Sequence, residues 1–176
     1  MLPLKAEQLN TAAGVFADGF IRDPAFAEVL QGREDGRALL KQYFYNYIST
    51  CTDLLLFKYS QQDEGYLCLY RYDTAFTEFE VPAPLEKMEH FQILDEFYEK
   101  DYGVLDIMAV AEQSRGKGIG GKMIDHFVDY CTKENLLPLV EVFSESHLPL
   151  YFAHGFEVAH QRTRGNITTY VLEYRK

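Results

Sequence analysis

The chain has 176 residues, of which 47% are hydrophobic and 25% charged, a balance typical of one globular domain without a membrane span. Its formal net charge of -10, from 27 acidic and 17 basic residues, argues against nucleic acid as the main partner. No basic region followed by an apolar stretch opens the chain, so we expect no signal peptide and a cytoplasmic location for a single domain over residues 1–176.

The first part of the chain predicts helices, then strands, then one more helix. Apolar residues at three- and four-residue spacing indicate the helices, and short apolar or alternating runs indicate the strands. The predicted helices cover residues 9–20, 24–30, 40–51 and 85–98. The predicted strands cover residues 54–59, 66–72 and 76–81, and the first two form a hairpin.

In the second part, strands and helices alternate. Leu105 to Val110 is a short apolar run typical of a buried strand, and a glycine-rich turn separates it from a predicted amphipathic helix over residues 119–131. Asn135 and Pro138 are expected to interrupt the chain after that helix. The remaining predicted elements are a strand over 139–143, a short helix over 145–154 ended by Gly155, and a hairpin with strands over 156–160 and 167–174.

The glycine-rich turn is the most informative stretch. Its four glycines are Gly116, Gly118, Gly120 and Gly121. Glycine allows sharp bends and close approach of the backbone to a ligand. Free N–H groups and the dipole at the start of the following helix favour a phosphate-like anion, and Arg115 and Lys117 add positive charge. The turn therefore predicts an anion-binding site.

Three phosphate-binding patterns fit these glycines. The alternative is a glycine-rich turn that binds no ligand. A dinucleotide fingerprint starts at Gly116, but such a domain normally opens with its glycine turn, and only 55 residues follow this one. A Walker loop also fits from Gly116, but Met123 stands where a magnesium-binding Ser or Thr is needed. The third pattern, Arg-x-x-Gly-x-Gly, starts at Arg115.

The third pattern resembles the pyrophosphate loop of the GNAT family of acetyl-CoA-dependent N-acyltransferases. Three further family features follow in the expected order. They are the strand Met108-Ala109-Val110 before the loop, the strand from Leu139 to Phe143 after it, and Tyr151 shortly before the pair Gly155-Phe156. The resemblance covers Leu105 to Phe156. It implies an α/β (α+β) fold with a mixed central sheet of about six to seven strands flanked by helices.

The resemblance also implies acetyl-CoA as co-substrate and no metal. Backbone N–H groups of the glycine turn would bind the pyrophosphate, and the strand before it would pair with the pantetheine arm. Many family members carry Asn where this chain has Ser144, seven residues before Tyr151. The implied cofactor-binding residues are Met108, Ala109, Val110, Arg115, Gly116, Lys117, Gly118, Ile119, Gly120, Gly121 and Ser144.

Tyr151 matches the family's general acid, which would protonate the departing thiolate. The amine must be neutral to attack, and Asp106, Glu141 or His147 could accept its proton. A core tyrosine and ordinary strand-end carboxylates are the alternative interpretation. The chain has no Gly-x-Ser-x-Gly elbow, and its histidines and cysteines show no metal-ligand spacing. Direct acyl transfer is therefore favoured over a covalent intermediate.

We therefore expect an N-acetyltransferase that acts on a primary amine of a small molecule or peptide. The acidic balance weakly favours a cationic acceptor. A non-catalytic acyl-CoA-binding module and a dinucleotide-binding oxidoreductase are the alternatives. No nucleic-acid or membrane partner is expected, and the aromatic C-terminal strand suggests a homodimer.

Overall fold

Seven strands form one sheet in the computed structural model, which describes residues 1–175. The strands are β1 (Leu2–Pro3), β2 (Leu55–Lys58), β3 (Gly65–Arg71), β4 (Tyr102–Val110), β5 (Leu137–Val142), β6 (Phe156–Arg164) and β7 (Ile167–Tyr174). The helices are α1 (Leu9–Phe20), α2 (Pro24–Leu30), α3 (Gly36–Thr50), α4 (Ile119–Lys133) and α5 (Leu148–Ala153). The predicted mixed sheet flanked by helices is confirmed.

The order of the strands is β1-β2-β3-β4-β5-β7-β6. Among the strands of residues 1–175, only β4 and β5 pair in parallel. A doubly wound dinucleotide domain needs a mostly parallel sheet. The topology therefore argues against the oxidoreductase alternative.

The sheet separates two hydrophobic clusters, because side chains alternate between the faces of a strand. In β3, Tyr66 and Cys68 pack in the cluster formed with α1, α2 and α3. Leu67 lies between these two residues and Leu69 follows them. Both leucines pack in the cluster formed with α4 and α5 on the opposite face. The five α-helices thus bury their apolar residues in one or the other of these clusters.

The strand predicted over residues 76–81 is wrong. This segment is an irregular loop between β3 and a 3₁₀ helix (Leu85–Phe91). Strand β3 is already paired with β2 on one side and β4 on the other, so no neighbouring sheet edge is open to it. Its alternating apolar residues Phe79 and Val81 pack instead against the cluster beneath α1, α2 and α3.

The helix predicted over residues 85–98 is also wrong in type. Two 3₁₀ helices, Leu85–Phe91 and Leu94–Glu96, replace it. The extended backbone of Gln92 (ψ 138°) separates them. The next two N–H groups, of Ile93 and Leu94, donate to a side chain of β5 instead of a helical carbonyl. Of the apolar positions that suggested a helix, Leu85, Met88, Phe91 and Leu94 are nevertheless buried, whereas Phe97 is 40% exposed.

Several boundaries also differ from the prediction. Strand β4 includes Gly103, where a Cβ atom would lie 2.7 Å from Cys131 Sγ of α4, so this glycine permits close packing inside a strand. Pro138 lies inside β5, opposite Gly103, instead of interrupting the chain. Helix α3 begins at Gly36, β6 extends to Arg164, and β1 was not predicted.

Strands β4 and β5 pair only over their first halves. The parallel ladder joins Tyr102–Leu105 to Leu137–Val140 and then stops, while β4 continues to Val110 and β5 to Val142. On its other edge β4 carries a β-bulge. Leu69 pairs with Leu105 and Cys68 with Ile107, which leaves Asp106 as the extra residue. The sheet therefore opens beside Asp106.

Candidate active site

A cleft of about 850 Å³ occupies the opening between β4 and β5. Its lining comes from α1, α2, α3, the loop after β3, the two 3₁₀ helices and α5, together with both strands. Seven of the predicted site residues line it: Asp106, Met108, Ala109, Val110, Arg115, Glu141 and Tyr151. The fold thus gathers the three predicted catalytic side chains around one cavity.

The edge of β4 that faces β5 presents free backbone groups to this cleft. Ala111 N–H donates to a carbonyl just before β3 over 2.9 Å, which turns its backbone away from the cleft. Because backbone groups alternate along a strand, Met108 and Val110 point their N–H and C=O groups toward β5 instead. The parallel ladder has ended by then. This part of β4 could pair with an extended ligand.

Two glycines of the turn are required by backbone conformation. Gly116 and Gly118 have φ angles of 77° and 73°, in the left-handed region that other residues rarely adopt. Gly118 is the N-cap of α4 and provides no side-chain hydrogen bond to the first turn. The N–H groups at the start of α4 are therefore free to bind an anion.

The other two glycines lie inside the first turn of α4. A Cβ atom at Gly121 would lie 2.7 Å from Nε2 of His154, so α4 and the end of α5 approach each other closely here. A Cβ atom at Gly120 would make ordinary contact with Leu150, at 3.7 Å, and Met108, at 4.0 Å. Helix α4, helix α5 and strand β4 thus converge beside the turn.

The basic side chains of the turn contact the protein itself. Arg115 donates to the Val110 carbonyl through Nε (3.2 Å) and to the Asp18 carbonyl through Nη2 (3.4 Å). Lys117 Nζ lies 3.3 Å from Ser114 Oγ and 3.7 Å from the Glu64 carboxylate. These contacts brace the turn, while both side chains stay exposed.

Asp106 faces the cleft from the bulge of β4. Its Oδ2 accepts a hydrogen bond from the Tyr47 hydroxyl (2.8 Å) and a longer one from Cys68 Sγ (3.8 Å). Burial raises the pKa of Asp106 to about 6, although both hydrogen bonds act in the opposite direction. A carboxyl group with this pKa can exchange a proton near neutral pH.

Glu141 approaches the same cleft from β5. Its Oε1 accepts hydrogen bonds from the backbone N–H groups of Ile93 (2.6 Å) and Leu94 (3.1 Å). Burial, with a smaller contribution from the charges of Asp95 and Asp106, raises the pKa of Glu141 to about 7, although both hydrogen bonds act in the opposite direction. Two carboxyl groups with pKa values near neutrality therefore flank the opening of the sheet.

Tyr151 lies in α5, and its side chain is only 6% exposed. Its ring packs edge-on against Phe156 at 5.9 Å between centroids. Its hydroxyl has no hydrogen-bond partner among residues 1–175, although the residue lines the cleft. Burial raises the pKa of Tyr151 above its ordinary value, so the hydroxyl holds its proton at neutral pH.

Most of the other predicted residues lie apart from this cluster. Ser144 follows β5 and places its hydroxyl 2.7 Å from Ser146 Oγ, outside the cleft lining. The glycines and Lys117 also lie outside that lining, at the start of α4. His147 is exposed but lines the cleft, near the start of α5.

Sequence reasoning missed the part of the aromatic lining of the cleft that lies outside α3. Tyr70, Phe76 and Phe79 line it from the end of β3 and from the loop that was predicted as a strand. The density of aromatic residues between positions 70 and 79 was the available signal. The role of the Ile93 and Leu94 amides had no sequence signal, because any non-proline residue provides an N–H group.

The three cysteines are buried and unpaired, as predicted. Within residues 1–175, no three His, Cys, Asp or Glu side chains group closely enough to hold a metal ion. No helix in the described part of the chain has the length and apolarity to cross a membrane.

Residues 87–158 match the model of the acetyltransferase (GNAT) domain. The predicted resemblance to this family is thereby confirmed. No curated protein sequence matches the chain.

Solved structures with similar folds cover nearly the whole chain. One is described as histone acetyltransferase HPA2 and related acetyltransferase from Corynebacterium glutamicum, with a TM-score of 0.72, 17% identity, and coverage of 98% of this chain and 93% of that one. A second is an N-acetyltransferase from Staphylococcus aureus, with a TM-score of 0.64, 12% identity, and 98% coverage of both chains. A third is the C-terminal condensation domain of Ebony in complex with beta-alanyl-dopamine, with a TM-score of 0.67, 12% identity, and coverage of 98% and 96%. At these identities the likeness establishes the fold.

Proposed function

We propose that this protein is an acetyl-CoA-dependent N-acetyltransferase that acts on a primary amine. It has the fold of GNAT acetyltransferases, and its residues 87–158 match their domain model. One observation carries the proposal. The unpaired edge of β4 lies directly before a helix start whose N–H groups have no side-chain cap. The extended arm of a ligand would pair with the β4 edge, and a diphosphate at the end of that arm would bind the N–H groups of the helix start.

The residues present fit that co-substrate. The positive φ angles of Gly116 and Gly118 direct the turn so that the first amides of α4 stay free. Met108 and Val110 offer backbone groups toward the opening of the sheet. When bound there, acetyl-CoA would supply the acetyl thioester. Backbone amides, not the side chains of Arg115 and Lys117, would provide most of the binding.

The transfer requires two proton movements in opposite directions. A bond forms between the amine nitrogen and the acetyl carbon, and the bond between that carbon and sulfur breaks. The nitrogen loses a proton, which Asp106 or Glu141 can accept, because their pKa values of about 6 and about 7 leave a carboxylate available near neutral pH. The sulfur gains a proton, which the Tyr151 hydroxyl can donate from its buried position.

The alternative of a non-catalytic acyl-CoA-binding module shares the backbone features but needs none of these side chains. Three ionisable groups around one cleft, with raised pKa values, favour an enzyme. The net charge of -10 is unsuited to binding nucleic acid. A homodimer through the C-terminal strand stays a prediction.

The proposal is tested by two measurements on the intact chain. Calorimetry with coenzyme A and acetyl-CoA should show binding of both, and release of free coenzyme A should follow addition of an acceptor amine. Binding without release for every amine class would favour the non-catalytic module. An absence of heat with either ligand at millimolar concentration would refute both.

A further inference from the structure

The cleft has an aromatic wall on the side of α3. Tyr47 and Phe79 lie 5.1 Å apart between ring centroids, Tyr43 and Phe79 5.7 Å, and Tyr70 and Phe76 5.0 Å. All five rings line the cleft, and Phe76 is 53% exposed at its mouth. A ligand that covers these rings would gain stacking contacts and remove apolar surface from water.

The charge of the cleft is strongly acidic. Its lining includes seven carboxyl groups but only one arginine and one histidine. The acidic residues are Asp23, Glu86, Glu89, Asp95, Glu96, Asp106 and Glu141. Such a cavity attracts cations and repels carboxylates and phosphates.

Two polar residues of the cleft lining, Asp106 and Tyr151, lack a charged partner. Asp106 accepts hydrogen bonds from Tyr47 and Cys68, and no Lys, Arg or His side chain within residues 1–175 lies in salt-bridge contact with it. Tyr151 is only 6% exposed as a residue, and its hydroxyl has no hydrogen-bond partner in the same described part of the chain. A cation beside Asp106 would supply the missing charge.

We propose that the acceptor is a small amine cation carried on a flat aromatic body, of the arylalkylamine class. This inference rests on the proposed function. The ammonium group lies toward Asp106, and the ring packs against Tyr47 and Phe79. Stacked aromatic contacts and the attraction of a cation to ring faces both favour such a ligand.

Other cationic amines fit the cleft less well. The acidic lining would attract the charges of a linear polyamine, but such a chain has no ring to pack against Tyr43, Tyr47 and Phe79. An aromatic α-amino acid has the same ring and amine but adds a carboxylate, which the acidic lining repels. The aromatic wall therefore favours an acceptor that has a ring, and the acidic lining favours an amine that has no carboxylate.

The test compares kcat/KM for four acceptors with the intact chain and acetyl-CoA. The panel is 2-phenylethylamine, hexylamine, spermidine and phenylalanine. We expect 2-phenylethylamine to exceed hexylamine by about tenfold, the discrimination typical of an apolar pocket. We expect it to exceed spermidine by about tenfold, because spermidine lacks the ring. We expect it to exceed phenylalanine by about a hundredfold, because the acidic lining repels the added carboxylate.

Two leucine variants test whether the aromatic wall causes the preference for 2-phenylethylamine over hexylamine. Phe79→Leu should lower kcat/KM for 2-phenylethylamine about tenfold and for hexylamine less than threefold. The matched control is Phe97→Leu, since Phe97 stacks on His160 at 3.8 Å and lies outside the cleft lining. It should change neither value.

The outcomes separate this inference from the function beneath it. If spermidine or phenylalanine is the best acceptor, or if Phe79→Leu lowers both rates equally, the arylalkylamine assignment is wrong while the acetyltransferase stands. If no amine of the panel or of a wider set releases coenzyme A, the proposed function fails and takes this inference with it.

Discussion

The Tyr47 hydroxyl donates a 2.8 Å hydrogen bond to Oδ2 of Asp106 and so joins α3 to the bulge of β4. Burial raises the pKa of Tyr47, which keeps the hydroxyl protonated and therefore a donor. The bond stabilises the charged form of Asp106 and lowers a pKa that burial raises. The environment of the candidate base thus depends on a helix distant in sequence.

We expect Tyr47→Phe to raise the pKa of Asp106, because the carboxylate loses its main donor. If Asp106 accepts the proton of the amine, the acidic limb of the pH profile of kcat/KM moves to higher pH. The unfolding free energy should also fall by about 1–3 kcal/mol, since a buried acceptor is left unpaired. Tyr45→Phe is the control, because Tyr45 lies on the same helix but is 42% exposed. Profiles that coincide for Tyr47→Phe and the wild type would exclude Asp106 as the base.

The two buried carboxyl groups should make the protein less stable as the pH rises. Their folded-state pKa values, about 6 for Asp106 and about 7 for Glu141, exceed the ordinary values of 3.8 and 4.5. Between these limits the folded state binds more protons than the unfolded state, so the free energy of unfolding falls with increasing pH. The fall should begin near pH 4 and level off above pH 7.

Denaturant unfolding at half-unit pH steps measures this slope. Asp106→Asn should remove the part of the fall that ends near pH 6, and Glu141→Gln the part that ends near pH 7. The amide oxygen of each variant can still accept the hydrogen bonds seen here. Slopes unchanged in both variants would show that these groups titrate normally in the folded chain.

Tyr151→Phe should reduce kcat by about a hundredfold or more, as expected for loss of a general acid. Affinity for acetyl-CoA should stay within about threefold, because backbone groups provide the binding contacts. Tyr174→Phe is a matched control, since both tyrosines pack against Phe156, at 5.9 Å and 5.5 Å, and Tyr174 does not line the cleft. Full activity of Tyr151→Phe would assign the residue to packing alone.

Gly121→Ala should destabilise the chain by about 1–3 kcal/mol, as overpacking does. The added Cβ would meet Nε2 of His154, which a 2.6 Å contact between His154 Nδ1 and Asp125 holds in place. The double variant Gly121→Ala/His154→Ala should lose less than the sum of the single variants, because the small side chain removes the clash.

Gly120→Ala is the control in the same turn of α4, since its Cβ would make only ordinary contact with Leu150. It should be neutral or stabilising by up to about 1 kcal/mol, because alanine favours the helix. Urea unfolding measures all four variants. Strictly additive losses for Gly121 and His154 would contradict this account of the glycine.

Local patterns in the sequence determined several elements without help from the rest of the chain. Helix α4 follows from apolar residues at helical spacing, and the turn before it from Gly116 and Gly118, whose positive φ angles are a property of the backbone itself. The β2–β3 hairpin follows from two apolar runs around a polar turn. These features depend on neighbours within a few residues.

Tertiary structure decided what those patterns left open. Residues 76–81 alternate like a strand, but they form a loop and a cleft wall because β2 and β4 already occupy both edges of β3. The chain leaves helical geometry at Gln92, and Glu141 of β5 accepts the next two N–H groups, those of Ile93 and Leu94. In both cases a partner distant in sequence determined the conformation.

The candidate site shows the same division. Residue types and spacing in the sequence named Asp106, Glu141 and Tyr151 as candidates. That they surround one cleft follows from the end of the β4–β5 ladder and the bulge at Asp106, and the raised pKa values follow from burial there. Burial and strand divergence arise only when residues far apart in the chain pack together, so no local pattern could contain them.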